Sequence, residues 1–325
     1  MRILVTGGAG YIGSVTAAHL LERGHSVEIL DNLVTGHRAA LPAAAPFHEG
    51  DLLDEAFLQR VFRDPFDAVI HFAAFSLVPE SADVPVRYWR NNVAGTCALL
   101  AYVARGGARR FVLSSSAAVY GEPGLDPIPE EAPTTPINPY GRTKLAMEWA
   151  LADASRAHGL AAVALRYFNA AGAWKGLGED HEPETHLIPR LLRSLFDPTL
   201  RFAIYGDDYP TRDGTCVRDY IHVRDLATAH AAAVEWAEAP GFSAINLGTG
   251  HGWSVREIVD AAAQVTGRTL EPPVEPRRGG DPARLVASVG RARSWLGWRA
   301  ERSDPATVLA DAWRWHSTHS SGYPD

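Results

Sequence analysis

Lysine, cysteine and methionine are nearly missing from this 325-residue chain, with two of each against 29 arginines. The two cysteines, Cys97 and Cys216, stand far apart without metal or redox spacing. That excludes a disulfide scaffold or a zinc ribbon and suits a reducing cytoplasm. No apolar run is long enough for a membrane span, and the chain opens Arg2-Ile3-Leu4-Val5-Thr6 straight into glycines where a signal peptide would have its apolar segment. The expectation is a soluble, cytoplasmic, untargeted protein. Basic charge is short as well: 31 Lys plus Arg face 38 Asp plus Glu, for a net charge of −7. A nucleic-acid partner is therefore not expected, and any anionic ligand must meet a local cluster of arginine. The thirteen histidines include no His-Glu-x-x-His and no pair at metal-ligand spacing, so they read as core or solvated residues and no metal is expected.

The hydrophobic share of 46% belongs to a globular enzyme, and 325 residues exceed what one core usually fills. Short β-branched runs at 2–6, 26–30, 68–72, 110–114 and 162–166 alternate with helical stretches at 12–23, 87–104 and 139–158. This alternation predicts an α/β fold, a Rossmann-type doubly wound parallel sheet. From residue 170 the chain turns to Gly, Pro and His-rich segments with helices at 187–196, 223–238 and 254–266. It reads as a smaller, interleaved α/β substrate lobe. The division is 1–169 for a dinucleotide-binding domain and 170–325 for the lobe, with about 240–250 returning to the main sheet.

Directly after the first run comes Gly7-Gly8-Ala9-Gly10-Tyr11-Ile12-Gly13, leading into a helix. Glycines let the backbone approach a diphosphate, and the free N–H groups of the helix start offset its charge. The second run ends at Asp31-Asn32, where a carboxylate can accept from both ribose hydroxyls and repels a 2′-phosphate. NAD is favoured over NADP. Asp51-Leu52 after the next segment, and Phe72-Ala73-Ala74 after the following strand, stand where the adenine and the middle of the dinucleotide would lie.

Tyr140 and Lys144 sit four residues apart at the start of a predicted helix, hence on one face. An ammonium near a phenol is expected to lower its pKa from about 10 towards neutrality, making Tyr140 a base. The run Ser114-Ser115-Ser116 ends the preceding strand and offers Ser116 to the same pocket.

With these motifs on the page, the chain resembles the extended short-chain dehydrogenase/reductase superfamily, and within it closely the UDP-galactose 4-epimerase family. The matching stretches are 6–14, 31–36, 91–96, 114–121, 138–144, 165–172, 205–223, 246–250 and 276–282, with 205–223 the most discriminating. The resemblance implies NAD-dependent oxidation at C4 of a UDP-sugar, rotation of the 4-keto sugar and hydride return to its other face. It assigns Tyr140 as base, Lys144 to the nicotinamide ribose and Ser116 to the reacting oxygen. Ser114, Asn91 and Phe168 fall to the cofactor, and Asn169, His186 and Leu187 to the substrate. Arg218 and Arg278 would grip the UDP diphosphate in bidentate fashion, and Asp281 would accept from the uridine ribose. Leu285 stands where relatives place Tyr or a small residue, which leaves the range of sugars open. Ser76 replaces a lysine, and His186 an asparagine, found in other members. A 4,6-dehydratase would need a carboxylate after the serine, where this chain has Ala117-Ala118. A UDP-N-acetylglucosamine or UDP-glucuronate epimerase, or an inactive NAD sensor, is the alternative. Relatives also pair through two long helices, which predicts a homodimer built on 87–104 and 139–158.

Overall fold

The computed structural model describes every residue except Pro198, Gly280 and Asp325. Gly280 falls within the 276–282 stretch, so that part of the resemblance lies outside the described residues. Seven parallel strands form the main sheet: β1 Arg2–Thr6, β2 Ser26–Asp31, β3 Phe47–Glu49, β4 Ala68–His71, β5 Arg110–Ser116, β6 Ala161–Tyr167 and β7 Gly241–Leu247. Their spatial order is β7-β6-β5-β4-β1-β2-β3.

Alternation along β1 shows why the sheet is a middle layer. Ile3 and Val5 enter a core with Val27, Ile29 and Ile70, while Leu4 enters another with Leu30, Val69 and Leu113. All nine of these side chains except Val27 and Leu30 are fully buried, and those two are 1% exposed. Both faces are covered, as a parallel sheet requires. Each such side chain withdrawn from water contributes about 1.5–3 kcal/mol before conformational entropy is subtracted.

Two features escaped the sequence pattern. β3 is only three residues long and partly exposed, so it lacks the apolar run that marks the inner strands. The predicted helix 87–104 is a longer rod, Pro85–Tyr88, Trp89–Ala94, Gly95–Tyr102 and Val103–Gly107, in which the second and fourth pieces are π-helical. Such turns shift the helix face, and functional residues often sit on them. Here the first π-helical piece holds Asn92 against the Phe75 backbone and Thr143 Oγ1, at 3.1 and 3.0 Å.

The later half interleaves with the first. Helix Val223–Trp236 packs on helix Tyr11–Glu22, and β7 pairs with β6. The remaining lobe gathers helices Leu187–Phe196, Val255–Thr266 and Pro305–Thr318 around Ile188, Leu191, Ile258 and Leu309. Its short strands Val217–Arg218 and Arg284–Leu285 run parallel with Arg218 opposite Leu285. Among the described residues, no helix is long and apolar enough to cross a membrane.

Candidate active site

Strand order reverses between β4 and β1, which opens a crevice at their carboxyl ends. The glycine turn fills its floor. Gly7 has φ 73°, and a Cβ there would stand 2.5 Å from the Ala73 nitrogen; one on Gly13 would stand 2.1 Å from the Gly7 carbonyl oxygen. Only glycine fits either place, and the helix Tyr11–Glu22 begins on the far side with its N–H groups directed at the crevice mouth. Asp31, at the end of β2, accepts from Ala9 N at 3.0 Å and from Leu33 N at 2.8 Å. Burial pushes its carboxyl up, and these backbone donors oppose that shift. Each oxygen keeps a lone pair for a ribose hydroxyl. Asn32 donates to Asp51 at 2.9 Å beside it. The cradle fits a dinucleotide without a 2′-phosphate.

Helix Pro139–His158 delivers the reactive pair. Asn138 caps it by accepting from Gly141 N at 2.8 Å, Pro139 opens it, and Gly159 closes it at φ 68°. A buried ion pair fixes its height on the sheet: Glu148 accepts from Arg166 of β6 at 2.6 Å and from Ser115 of β5 at 2.5 Å. Tyr140 and Lys144 thereby face Ser116. Lys144 donates to the Ser114 carbonyl at 2.8 Å, and its Nζ lies 5.8 Å from the Tyr140 ring centre. Ser114 also shares a short hydrogen bond with the Tyr167 hydroxyl.

The electrostatics correct the sequence-based expectation for the phenol. Burial pushes Tyr140 up to about 12, against a hydrogen bond from Ser116 that lowers it. Burial likewise pulls Lys144 down to about 7, against the attraction of Glu148. An ammonium whose charge burial disfavours, bonded to a carbonyl, does not hold a phenolate by itself, so desolvation outweighs the pairing.

The other half of the crevice comes from the lobe. Arg218 is paired with Asp281, and Arg278 lies 3.8 Å above the Tyr205 ring centre. Asn169 donates to the Asp219 carbonyl at 3.2 Å. Leu285 packs with Phe168 against Ala117, Val119 and Leu145. A single cavity of about 880 Å³ is lined by Gly7, Gly10, Tyr11, Ile12, Gly13, Asp31, Asn32, Asp51, Leu52, Phe72, Ala73, Ala74 and Asn91 on one side. Ser114, Ser116, Tyr140, Lys144, Phe168, Asn169, His186, Leu187, Arg218, Arg278, Asp281 and Leu285 line the rest. The structure therefore brings every predicted site residue to one space.

Sequence reasoning missed Arg190, Tyr205 and Tyr167, which also line it. Tyr205 lies in the discriminating stretch, and its phenol is pulled down by hydrogen bonds to Arg278 and Arg190. His181 and His186 converge with Glu179 and Glu184 at the cavity wall. Five-residue spacing hid them because this segment is a loop folded back on itself, not a helix. Burial lowers the pKa of His181, but the neighbouring Glu179 and Glu184 carboxylates outweigh it and raise it to about 9.

The family model described as "NAD dependent epimerase/dehydratase family" matches residues 3–248. The chain belongs to that family. Within the family it is 53% identical over 326 residues to the UDP-glucose 4-epimerase of Streptomyces lividans, covering 100% of this chain and 98% of that one. Its backbone superposes on the UDP-glucose 4-epimerase of Brucella ovis, solved in complex with NAD, with a TM-score of 0.93 at 48% identity, over 96% of this chain and 97% of that chain. The Bifidobacterium longum enzyme, solved with NAD+ and UDP, gives a TM-score of 0.93 at 38% identity over 99% and 100%.

Proposed function

We propose that this member of the epimerase/dehydratase family is an NAD-dependent isomerase that interconverts UDP-galactose and UDP-glucose by inverting C4. The observation that carries the reading is the convergence of Ser116, Tyr140 and Lys144, in one cavity, with the glycine cradle on one side and Arg218 and Arg278 on the other. The relatives named above are UDP-glucose 4-epimerases along their whole length, which supports the same substrate pair.

NAD would rest on the Gly7–Gly13 turn with its adenosine ribose at Asp31, and when bound it supplies the hydride acceptor and donor and a positive charge that favours phenolate. Ser116 holds the sugar 4-oxygen by hydrogen bonding. Tyr140 takes the hydroxyl proton as that oxygen becomes a carbonyl, and gives it back when the carbonyl is reduced from the other face. Lys144 orients the cofactor ribose and donates to the Ser114 carbonyl, which keeps β5 and the helix in register. Arg218 and Arg278 neutralise the diphosphate, so the nucleotide stays anchored while the sugar end turns. Ala117 and Ala118 line the cavity beside Ser116, at the place where a dehydratase needs a carboxylate. Residues 1–169 act in this reading as the NAD-binding domain and 170–325 as the nucleotide-sugar lobe. The two free cysteines fit the cytoplasm as its place of work.

The direct test supplies purified protein with UDP-galactose and no added reductant. Appearance of UDP-glucose supports the reading; a UDP-sugar returned unchanged, with NAD added, sinks it.

Leu285 sets the range of sugars. An N-acetyl group adds several heavy atoms, and Leu can step aside by a rotamer change where Tyr would intrude. We expect efficient turnover of UDP-galactose and slower turnover of UDP-N-acetylglucosamine. Leu285→Tyr should remove the second activity and spare the first, and Leu285→Ala should raise it. An unchanged ratio in both variants would show that the gate lies elsewhere.

We also propose a homodimer. Val86 and Trp89 on the long rod and Trp149 on helix Pro139–His158 are 78%, 41% and 62% exposed, on two helices that touch through Asn92 and Thr143. Large apolar side chains of this kind mark a contact, and twofold pairing is the commonest assembly. Sedimentation at micromolar concentration should give a dimer that Trp149→Glu dissociates. A monomeric wild-type chain would exclude it.

A further inference from the structure

The segment leading into helix Leu187–Phe196 carries a cluster of which the epimerase reading uses only His186, at the substrate wall. Glu179, His181, Glu184 and His186 each present one ligand atom, and all of these atoms lie within 4.8 Å of one another. His181 Nδ1 stands 3.3 Å from Glu179 Oε1 and 3.8 Å from Glu184 Oε2. His186 Nδ1 stands 2.9 Å from Glu179 Oε1 and 3.0 Å from Glu184 Oε1. Donors bound at about 2.0–2.1 Å around a tetrahedral zinc are separated by about 3.3–3.4 Å, and the His–Glu spacings here, taken to Oε2 of Glu184 from His181 and to Oε1 from His186, run from 2.9 to 3.8 Å.

A second observation points the same way. His181 Nδ1 and Glu184 Oε2 are buried and have no hydrogen-bond partner, although the Glu184 side chain is only 4% exposed. Buried polar atoms normally find partners, and a carboxylate oxygen left without one is costly. The two orphans stand 3.8 Å apart within the cluster.

We propose that Glu179, His181, Glu184 and His186 form a binding site for a divalent transition metal of the zinc class. Two imidazoles and two carboxylates suit zinc or cobalt better than the all-oxygen shells of calcium and magnesium. With neutral imidazoles, the carboxylate charge equals that of one divalent ion. The other way to balance it is a pair of protons, giving two imidazolium–carboxylate pairs. Four protein donors leave no open position, which is the arrangement of a structural metal. His186 precedes the first turn of helix Leu187–Phe196, so a bound ion would tie both ends of the 179–186 loop to the cavity wall. The His186 side chain is 41% exposed, which gives the ion an entry path. His186 also lines the UDP-sugar cavity, so metal binding is measured directly and not through turnover.

The untagged full-length chain, stripped with a chelator, given zinc and desalted, should retain about one zinc per chain by elemental analysis. Cobalt in its place should give the intense visible bands of a tetrahedral ion. Zinc should raise the Tm of the wild type. His181→Gln and Glu184→Gln should each weaken retention at least about tenfold and remove the Tm response, with circular dichroism showing that both variants are folded. Should one variant fail to fold, the other carries the comparison. A wild type that retains no zinc, cobalt bands of octahedral intensity, or variants that retain as much as wild type through adventitious surface histidines would each overturn the site.

Discussion

Tyr140→Phe should lower the interconversion of UDP-galactose and UDP-glucose at least about a hundredfold, the lower range for a positioned acid–base group. The variant should still fold and bind UDP. The ring keeps its place in the first turn of the helix, where the Tyr140 backbone N–H donates to Ser81 Oγ at 3.2 Å and Asn138 caps the turn. What disappears is the one hydroxyl that burial and Ser116 hold ready beside the sugar oxygen. With that phenol near 12 in the NAD-free chain, a spectroscopic titration of the protein alone should show no Tyr140 ionisation near neutral pH. Activity within a few-fold of wild type would remove Tyr140 from its role, and retained UDP binding separates that outcome from misfolding.

Local patterns made much of this site readable beforehand. The glycine turn, the acid at the end of β2 and the Tyr140–Lys144 pair are each written in contiguous residues, because a strand, a turn and a helix start impose short-range spacing. The inner strands were equally plain, since burial on both faces demands unbroken apolar runs such as Ile3-Leu4-Val5. β3 has no such run and stays hidden. Pairings across long separations were also invisible: Arg218 with Asp281 spans 63 residues, and Arg278 over Tyr205 depends on two short strands meeting at Ile204–Tyr205 and Val274–Glu275. The phenol pKa was misjudged for a related reason. The spacing of Lys144 is local, but the burial that depresses its charge comes from packing that the whole sheet and helix create together.

Lys144→Met should abolish most activity and yet raise the thermal stability of the NAD-free chain. Lys144 is 3% exposed, and burial pulls its pKa from an ordinary 10.5 to about 7. In the unfolded chain the same ammonium is hydrated and keeps its ordinary pKa. The folded state therefore binds this proton less tightly, and the destabilisation is fully present below about pH 7. It fades as pH rises from there towards 10.5, where the unfolded chain gives up the proton too. Methionine has nearly the same length and no charge to desolvate. Replacing a desolvated charge by an apolar side chain of similar volume removes its desolvation penalty, and the hydrogen bond lost to the Ser114 carbonyl offsets about 1 kcal/mol of that gain. Thermal melts at pH 6, 8 and 10 should thus show the variant above wild type at pH 6, with the gap closing by pH 10. NAD retention should fall in the same variant, because the side chain that orients the ribose is gone. A variant less stable than wild type at pH 6, or a gap that widens with pH, would mean that Glu148 and the Ser114 carbonyl compensate the ammonium and that Lys144 is held for structure as much as for chemistry.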